Sequence, residues 1–378
     1  MFSHSSSLLF IVTLALLSSA SPILDLGTDP MRNHFGPGPV VIRKRKPFVG
    51  DDGVFDLDRA VVQTVRTKNK YRHNLLNLQQ NVGRLRAGGV IMPIATVPKA
   101  IAERLQLDKR QAEPLEDEND IEWTGSISIG TPGKPFLIDF DMSVAGINAT
   151  NQHFSPVTTL LSSTFDDAAF DGILGLAYPA LSNMRASPFF NTAIAQGSIK
   201  NKAFGMKLAT NGSELFLGGT NSKLYTGNIE YHQIDTTTGL WEIPRATAFS
   251  GPTPVASKIS TIIDSGTTIM YGPPADVEAF YSNIPGARLV DRESGFYAYP
   301  CGSTPRLSFS WGGRTWTVAA ENFNFGTLEI GSSQCVGALA GQDLGLGSGV
   351  WLLGDSFMKN VYTAFDFEKN AVGFAQLS

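Results

Sequence analysis

The stretch Ser-Thr-Ile-Ile-Asp-Ser-Gly-Thr-Thr, residues 260–268, is the most informative in the chain. Ile262 and Ile263 have the β-branched side chains favoured in a buried strand, and Asp264 follows them directly. Gly266 permits a tight turn and lets neighbouring backbone approach the carboxylate. Three hydroxyl side chains can hydrogen-bond the turn and the charged oxygens: Ser265, Thr267 and Thr268. Such a loop can hold a reactive carboxylate, although Asp-Ser-Gly also occurs in ordinary hairpin turns.

A second aspartate, Asp141, ends a similar apolar run in the first half of the chain, but a different sequence follows it. Residues 137–140 read Leu-Ile-Asp-Phe, and Met142-Ser-Val follows Asp141 where Ser-Gly-Thr follows Asp264. Two close carboxylates that share one proton can activate water and protonate a leaving nitrogen. We therefore predict Asp264 and Asp141 as a catalytic pair for peptide-bond hydrolysis, a reaction that then needs no cofactor.

Several segments occur in the order typical of one enzyme family. They are Trp123–Pro132, Pro135–Asp141, Phe170–Pro179, Ile262–Thr268, Trp351–Met358, Tyr362–Asp366 and Val372–Ala375. Together they resemble the pepsin-like aspartic peptidases, from Ile121 to Leu377. The resemblance implies an all-β fold of two lobes, a central cleft for polypeptide substrates, and a monomer. It also selects Asp141 rather than Asp139, which would share a strand face with it.

The two halves of the chain differ in the spacing that follows each aspartate. In this family two apolar residues and a glycine lie beneath each Asp loop. The interval is 90 positions from Asp264 to Gly354 but 34 from Asp141 to Gly175, a difference of 56. The resemblance places residues 143–154 after the family's flap, so the rest of the first Asp loop and the flap are expected to be missing. We therefore expect an incomplete N-terminal lobe and little or no turnover; a splice variant or a wrongly joined gene model explains this better than an inactivated protein.

The N-terminal residues indicate a secretory protein. Residues 1–20 contain an apolar run from Leu8 to Leu17, followed by Ser-Ser-Ala, which is typical of a signal peptide and its cleavage site. The run is too short to span a membrane, and no hydrophobic tail precedes Ser378, so no membrane anchor is predicted. We expect the protein to be secreted to the exterior or delivered to a secretory compartment such as the vacuole.

Residues 21–110 differ in charge from the rest of the chain. They contain 16 Lys and Arg against 8 Asp and Glu, whereas the chain from Gln111 onward contains 14 and 26. The dibasic pair Lys109-Arg110 lies at this boundary and is predicted to be a processing site. We therefore predict that residues 21–110 are a propeptide and act as an intramolecular inhibitor. Electrostatic attraction to the acidic body would weaken as carboxylates protonate, which predicts release in acid.

Two cysteines and two sequons suggest covalent features of a secreted protein. Cys301 and Cys335 are the only cysteines; an even number in a secretory chain favours a disulfide, and two free buried thiols are the alternative. The resemblance implies a disulfide in this region of the C-terminal lobe. Asn148-Ala-Thr and Asn211-Gly-Ser are potential glycosylation sites, although such sequons also arise by chance.

Glycine and proline punctuate short β-branched and aromatic runs, which is the pattern of an all-β protein. Strands are predicted at 214–218 and 307–311. Short helices are predicted at 188–196 and 274–281, and the run 57–85 is predicted to be partly helical.

Other patterns exclude several classes of function. The five histidines are scattered without metal-ligand spacing, so no metal site is predicted. The basic run 43–46 has no aromatic platform beside it, so no nucleic-acid partner is predicted. The glycine-rich segment 341–349 lacks a phosphate-binding lysine and is predicted to be a mobile surface loop.

We divide the mature chain into lobes at 111–228 and 229–378. Because fold alone does not establish activity, a non-catalytic secreted peptide-binding protein is the alternative function.

Overall fold

Strands dominate the part of the chain that the structure describes. The computed structural model describes residues 39–41, 48–50, 52–105, 128–129, 134–135, 140–144, 147–153, 174–303 and 305–378. All of them belong to one unit, Pro37–Ser378. The predicted signal peptide, Lys109, Arg110 and most of the chain between 106 and 173 lie outside the described residues.

The helices in these ranges are α1 (Leu57–Val82), α2 (Lys99–Arg104), α3 (Phe189–Ala195), α4 (Pro274–Ser282), α5 (Ala320–Phe323) and α6 (Asp355–Met358). The strands of the first part are β1 (Pro39–Val41), β2 (Ser128–Ile129), β3 (Lys134–Pro135), β4 (Phe140–Val144), β5 (Ile147–Gln152), β6 (Ala203–Lys207), β7 (Glu214–Leu217) and β8 (Tyr225–Gln233). The strands of the second part are β9 (Glu242–Ser250), β10 (Thr253–Ile263), β11 (Met270–Gly272), β12 (Arg288–Leu289), β13 (Phe296–Pro300), β14 (Leu307–Ser310), β15 (Thr315–Thr317), β16 (Asn324–Thr327), β17 (Gln334–Gly341), β18 (Val350–Leu353), β19 (Tyr362–Asp366) and β20 (Ala371–Leu377).

A six-stranded sheet combines strands from three parts of the sequence, in the order β1-β7-β6-β19-β20-β8. Strand β1, which lies in the predicted propeptide, pairs antiparallel with β7 and forms one edge. Phe204 on β6 stacks on Phe365 on β19 with ring centroids 4.7 Å apart, and both side chains are buried. Because β6 and β19 come from the two predicted lobes, this sheet joins them.

The second half of the chain forms a ten-stranded sheet, β12-β13-β17-β11-β18-β10-β9-β14-β15, with β16 paired to β17. Strand β10 is exposed at its start and buried at its end, where the exposed fractions of Ile262 and Ile263 are 1% and 3%. These two residues pair in parallel with Leu352 and Leu353 on β18, which are equally buried. Buried parallel strands favour continuous apolar runs of this kind, and the pairing fixes the backbone that leads into Asp264.

Helix α1 begins and ends at residues suited to these positions. The Asp56 carboxylate accepts a hydrogen bond from the Arg59 backbone N–H at 2.9 Å and caps the N-terminus. Gly83 ends the helix in the left-handed conformation, with φ of 77°, where glycine has no steric penalty. At 1.5 Å per residue the 26 residues span about 39 Å.

The all-β prediction is confirmed, as are the predicted strands and helices. The strands at 214–218 and 307–311 are β7 and β14, and the helices at 188–196, 274–281 and 57–85 are α3, α4 and α1, each within a few residues. Among the described residues, no helix is both long and apolar enough to cross a membrane.

The prediction of an exposed, mobile loop at 341–349 is wrong in one respect. Leu344 and Leu346 are buried, because the segment that follows α1 lies against this loop. The Val90 N–H donates to the Gly345 carbonyl at 2.8 Å, and Gly88 packs beside Gly347. The glycine content of the loop therefore permits close contact with another part of the chain.

Candidate active site

Asp264 lies at the C-terminal end of β10 and is held by its own loop. Its backbone N–H donates to the Leu353 carbonyl at 3.1 Å. One carboxylate oxygen, Oδ1, accepts from the Gly266 N–H at 2.9 Å, and Oδ2 accepts from the Thr267 hydroxyl at 2.7 Å. Thr267 is fully buried. These donors orient the carboxylate and favour its charged form.

The loop packs so closely on β18 and α6 that one position has no room for a side chain. A Cβ atom at Gly354 would lie 2.3 Å from the Thr267 carbonyl oxygen. The backbone N–H groups of Asp355 and Ser356 donate to the carbonyls of Thr267 and Thr268, at 2.7 and 3.1 Å. The predicted glycine beneath the second Asp loop thus packs directly against the backbone of that loop.

Two residues of α1 contact Asp264. Lys70 Nζ lies 2.7 Å from Oδ2, and the Tyr71 hydroxyl donates to the same oxygen at 3.0 Å. The side chains of Lys70 and Asp264 are 28% and 16% exposed, whereas Tyr71 is buried. With the Thr267 hydroxyl, three donors surround this oxygen.

The contacts with α1 determine the charge state of the carboxylate. Burial by itself would raise the pKa of Asp264. The charge and hydrogen bond of Lys70 and the hydrogen bonds of Thr267 and Gly266 together outweigh burial and lower the pKa of Asp264 to about 2. Burial, followed by the charge and hydrogen bond of Asp264, raises the pKa of Tyr71 well above its usual value. Asp264 is therefore ionised, and Tyr71 is neutral, over the ordinary pH range.

Helix α1 also bonds to residues on either side of Asp264. The Thr64 hydroxyl of α1 lies 3.0 Å from the hydroxyl of Tyr271, which belongs to the predicted C-terminal lobe. Towards the other end, the side-chain amide of Asn77 donates to the Leu181 carbonyl at 3.1 Å. Further bonds join His73 to Asn183, and Asn81 to the carbonyls of Ala180 and Ser182. The helix thus contacts both predicted lobes and covers the carboxylate between them.

The chain after α1 turns back along the helix. The Asn69 side chain exchanges two hydrogen bonds with the Ala95 backbone, at 2.8 and 2.9 Å. Arg72 Nε donates to the Met92 carbonyl at 2.9 Å. Earlier in this segment, Arg86 forms an ion pair with Glu242 on β9, with Nη2 2.6 Å from Oε1.

Asp141 lies in β4, and the structure describes its backbone but not its side chain. Phe140 pairs with Gln152 and Met142 pairs with Ala149, so the register shifts at Asp141. A shift of this kind is typical of a β-bulge, which bends a strand and re-aims a side chain. The assignment of Asp141 as partner of Asp264 stays a prediction.

The remaining predicted residues lie away from Asp264. Cys301 and Cys335 form a disulfide that joins the end of β13 to β17, with Cα atoms 5.0 Å apart. Asn148 and Asn211 are exposed, as a glycosylation site requires, and their modification stays a prediction. In the described ranges no cluster of His, Cys, Asp or Glu could hold a metal ion.

Sequence patterns did not identify Lys70, Tyr71, Arg86 or Glu242. The basic charge of residues 21–110 pointed to attraction between this segment and the acidic body, but several cations on one helix are equivalent in sequence. Only the packing of α1 shows that Lys70 and Tyr71 reach the carboxylate.

Comparisons with known proteins agree with this geometry. The family model described as "Eukaryotic aspartyl protease" matches residues 141–377. The chain is 41% identical over 238 residues to "Aspartic protease" of Phaffia rhodozyma, covering 61% of this chain and 57% of that protein. It is 32% identical over 260 residues to "Major aspartyl peptidase 1" of Cryptococcus neoformans var. grubii, covering 62% and 53%, and 31% identical over 245 residues to "Cathepsin D" of Homo sapiens, covering 62% and 58%.

The matched region therefore spans a little more than half the length of these relatives. It contains the complete loop around Asp264, the glycine beneath it and the strands that carry both. Because the family match covers well over half of the chain, from Asp141 to Leu377, this protein belongs to the eukaryotic aspartyl protease family.

Proposed function

We propose that the chain is the zymogen form of a secreted aspartic endopeptidase, with Asp264 and Asp141 as its two catalytic carboxylates. The observation that carries this proposal is the state of Asp264. The carboxylate stands at the end of a rigid strand in a complete loop of hydrogen-bond donors, and Lys70 and Tyr71 of α1 cover it. The substrates would be extended polypeptides that replace α1 in the cleft.

The reaction follows from the chemistry of two carboxylates that share one proton. Like charges at contact distance raise the pKa of one group, so one carboxylate is charged and the other protonated. The charged group removes a proton from water as the water oxygen attacks the peptide carbonyl carbon. The protonated group then donates its proton to the leaving nitrogen as the C–N bond breaks. The donors around Asp264 favour its charged form, which suits the role of base.

We propose that residues 21–110 inhibit the site by occupying it. The Lys70 ammonium lies 2.7 Å from the Asp264 carboxylate. Its positive charge compensates the negative charge that would otherwise polarise water. The helix also fills the space above the loop, because Tyr71 is buried there. Release requires that this helix leave, and cleavage at Lys109-Arg110 would make release permanent.

Acid release can act through Asp264 itself. The pKa of this carboxyl is lowered to about 2 in the docked state, below its usual 3.8. A lowered pKa stabilises the docked state at pH above 3.8, and this stabilisation is lost as the pH falls from there towards 2. The expected window for release is therefore below about pH 4. A propeptide that stayed docked from pH 7 to pH 3 and below would contradict this mechanism.

The spacing after Asp141 bears on whether this particular chain turns over substrate. The interval to the glycine is 56 positions shorter than in the second half, and the chain matches little more than half of its relatives. We propose that the rest of the first Asp loop and the flap are absent, so that this chain has little or no activity although the complete gene product is an enzyme. The same observation favours, as second candidate, a secreted peptide-binding protein without catalysis.

Two experiments test these proposals. Sequencing the transcript across codons 141–142 shows whether an in-frame exon of about the missing length lies there. The purified chain is then incubated at pH 3–5 with a peptide that contains a pair of apolar residues, beside Asp264→Asn and, as control, the exposed Glu368→Gln. Cleavage lost only in Asp264→Asn supports the peptidase assignment; cleavage that survives Asp264→Asn refutes it.

A further inference from the structure

A buried ion pair lies near the candidate site, and the proposed reaction does not use it. Arg86 Nη2 lies 2.6 Å from Glu242 Oε1, and the two side chains are 8% and 1% exposed. Arg86 Nη1 also donates to the Leu346 carbonyl. Two nitrogens of one guanidinium thus donate to two acceptors, a carboxylate and a carbonyl. This geometry distinguishes arginine from a neutral side chain.

The position of Glu242 places this pair beside the reacting groups. Glu242 is opposite Ile262 in the β9–β10 register, and Ile262 is two residues before Asp264. Residues at such diagonal positions of adjacent antiparallel strands lie about 7–8 Å apart, so the two carboxylates are neighbours on the sheet. The charges of Asp264 and Glu242 both raise the pKa of the Tyr71 hydroxyl, so both carboxylates lie near it.

The segment that carries Arg86 binds as a peptide does. It lies beyond the end of α1 and has no helical or strand structure of its own from Arg86 to Val90. The Val90 N–H donates to the Gly345 carbonyl at 2.8 Å, and Gly88 lies against Gly347. Main-chain hydrogen bonds with one pocketed side chain are a general mode of peptide recognition.

Departure of residues 21–110 would remove the cationic partner of Glu242. A buried charge pair is stable when both partners are present, but removing one partner leaves an uncompensated charge. When residues 21–110 depart, Glu242 loses Arg86 and its carboxylate is left in a site shaped for a guanidinium. The next cation able to fill that site is a side chain of the incoming polypeptide.

We propose that Glu242 and the Leu346 carbonyl form a substrate subsite selective for an arginine side chain, and that Arg86 occupies it in the zymogen as a substrate mimic. This inference rests on the proposed peptidase function, since it names the substrates of the same cleft. Those substrates carry an arginine a few residues from the bond that is cleaved. Arg86 supplies the preferred side chain and lies beside the carboxylates. The peptide bonds near it are not hydrolysed, because Lys70 neutralises Asp264.

A cleavage assay tests the preference. Residual turnover of the full chain, processed at acid pH, is measured on peptides with one apolar pair and with arginine or citrulline at each flanking position; citrulline has the same shape as arginine but no charge. If turnover is too low to measure, the binding assay below decides. At one position the wild type should prefer arginine by roughly ten- to a hundredfold in kcat/KM, the range of a charge-assisted hydrogen bond. In Glu242→Gln the ratio should fall to about one, and in Glu368→Gln it should be retained. An equal ratio in wild type and Glu242→Gln would overturn the subsite.

A binding assay tests the same site without cleavage. Arg86→Ala in the full chain empties the guanidinium position. N-acetyl-arginine amide should raise its melting temperature, the citrulline compound should not, and Arg86→Ala with Glu242→Gln should respond to neither. If Arg86→Ala does not fold, refolding with each compound replaces melting, and recovery with the arginine compound alone supports the site. Absence of any arginine-specific effect refutes it.

The two assays separate the two proposals. Arginine-specific binding without cleavage of any peptide would leave the arginine site and favour the second candidate for this chain, a peptide-binding protein without catalysis. Cleavage without arginine preference would refute the site and leave the peptidase assignment.

Discussion

Replacing Lys70 by methionine should loosen α1 and change how its docking depends on pH. Lys70→Met retains most of the side-chain length but removes the charge 2.7 Å from Asp264. In the docked protein the pKa of Asp264 falls from 3.8 to about 2, and one pKa unit corresponds to 1.36 kcal/mol, so the pair and its neighbours supply roughly 2 kcal/mol. Asp264 and Lys70 are both less than a third exposed, so solvent screening removes only part of this value.

Hydrogen exchange of the α1 amides in the full chain measures this effect. At pH 6 the free energy of opening of α1 should fall by up to roughly 2 kcal/mol in Lys70→Met. Between pH 4 and pH 2 the wild-type helix should lose protection as Asp264 protonates, and Lys70→Met should show a flatter profile. Lys99→Met is the control, because Lys99 is 90% exposed and lies 3.8 Å from Glu103 in a surface pair.

Two results would refute this reasoning. Unchanged protection of α1 at pH 6 in Lys70→Met would show that the ion pair does not hold the helix. A wild-type loss of protection between pH 4 and pH 2 that persists unchanged in Lys70→Met would show that another carboxylate drives acid release.

Two further predictions concern the C-terminal lobe. The double variant Cys301→Ser, Cys335→Ser opens a loop with a sequence separation of 34 and should lower the free energy of unfolding by roughly 3 to 4 kcal/mol, measured in urea; a loss below about 1 kcal/mol would contradict the chain-entropy argument. Burial raises the pKa of Glu242; the charge of Arg86 lowers it by less, and the charge of Asp235 adds to the increase. The arginine preference in cleavage or binding should therefore disappear on acidification at a higher pH than an exposed glutamate allows, and a preference unchanged down to pH 3 would contradict this assignment.

Local patterns in the sequence were sufficient to predict much of the fold. The β-branched run before Asp264 predicts a buried strand, and the resemblance implies that the paired leucines before Gly354 lie beneath the loop; the two segments pair in parallel. The run 57–85 is predicted to be partly helical, and α1 occupies most of it, between the cap residues Asp56 and Gly83. These features are determined by residues close to one another in the chain, so local sequence patterns are enough to predict them.

Contacts between distant segments could not be predicted in the same way. Lys70 and Asp264 are 194 positions apart, and Arg86 and Glu242 are 156 apart. Several basic residues lie between 59 and 86, and their charge alone does not determine which one reaches a given carboxylate. The loop 341–349 was predicted to be exposed because its composition is that of a surface loop, whereas its burial depends on a segment some 250 positions away.

The strand β1 gives the proposed maturation a second consequence. Its three residues, Pro39–Val41, pair with Glu214–Phe216 of β7 and end the six-stranded sheet. Removal of residues 21–110 would strip this strand away together with α1. The β7 edge would then present unpaired N–H and C=O groups, which are a template for pairing with another chain. The same cleavage that uncovers Asp264 would therefore leave the protein prone to self-association unless a different strand takes the vacated position.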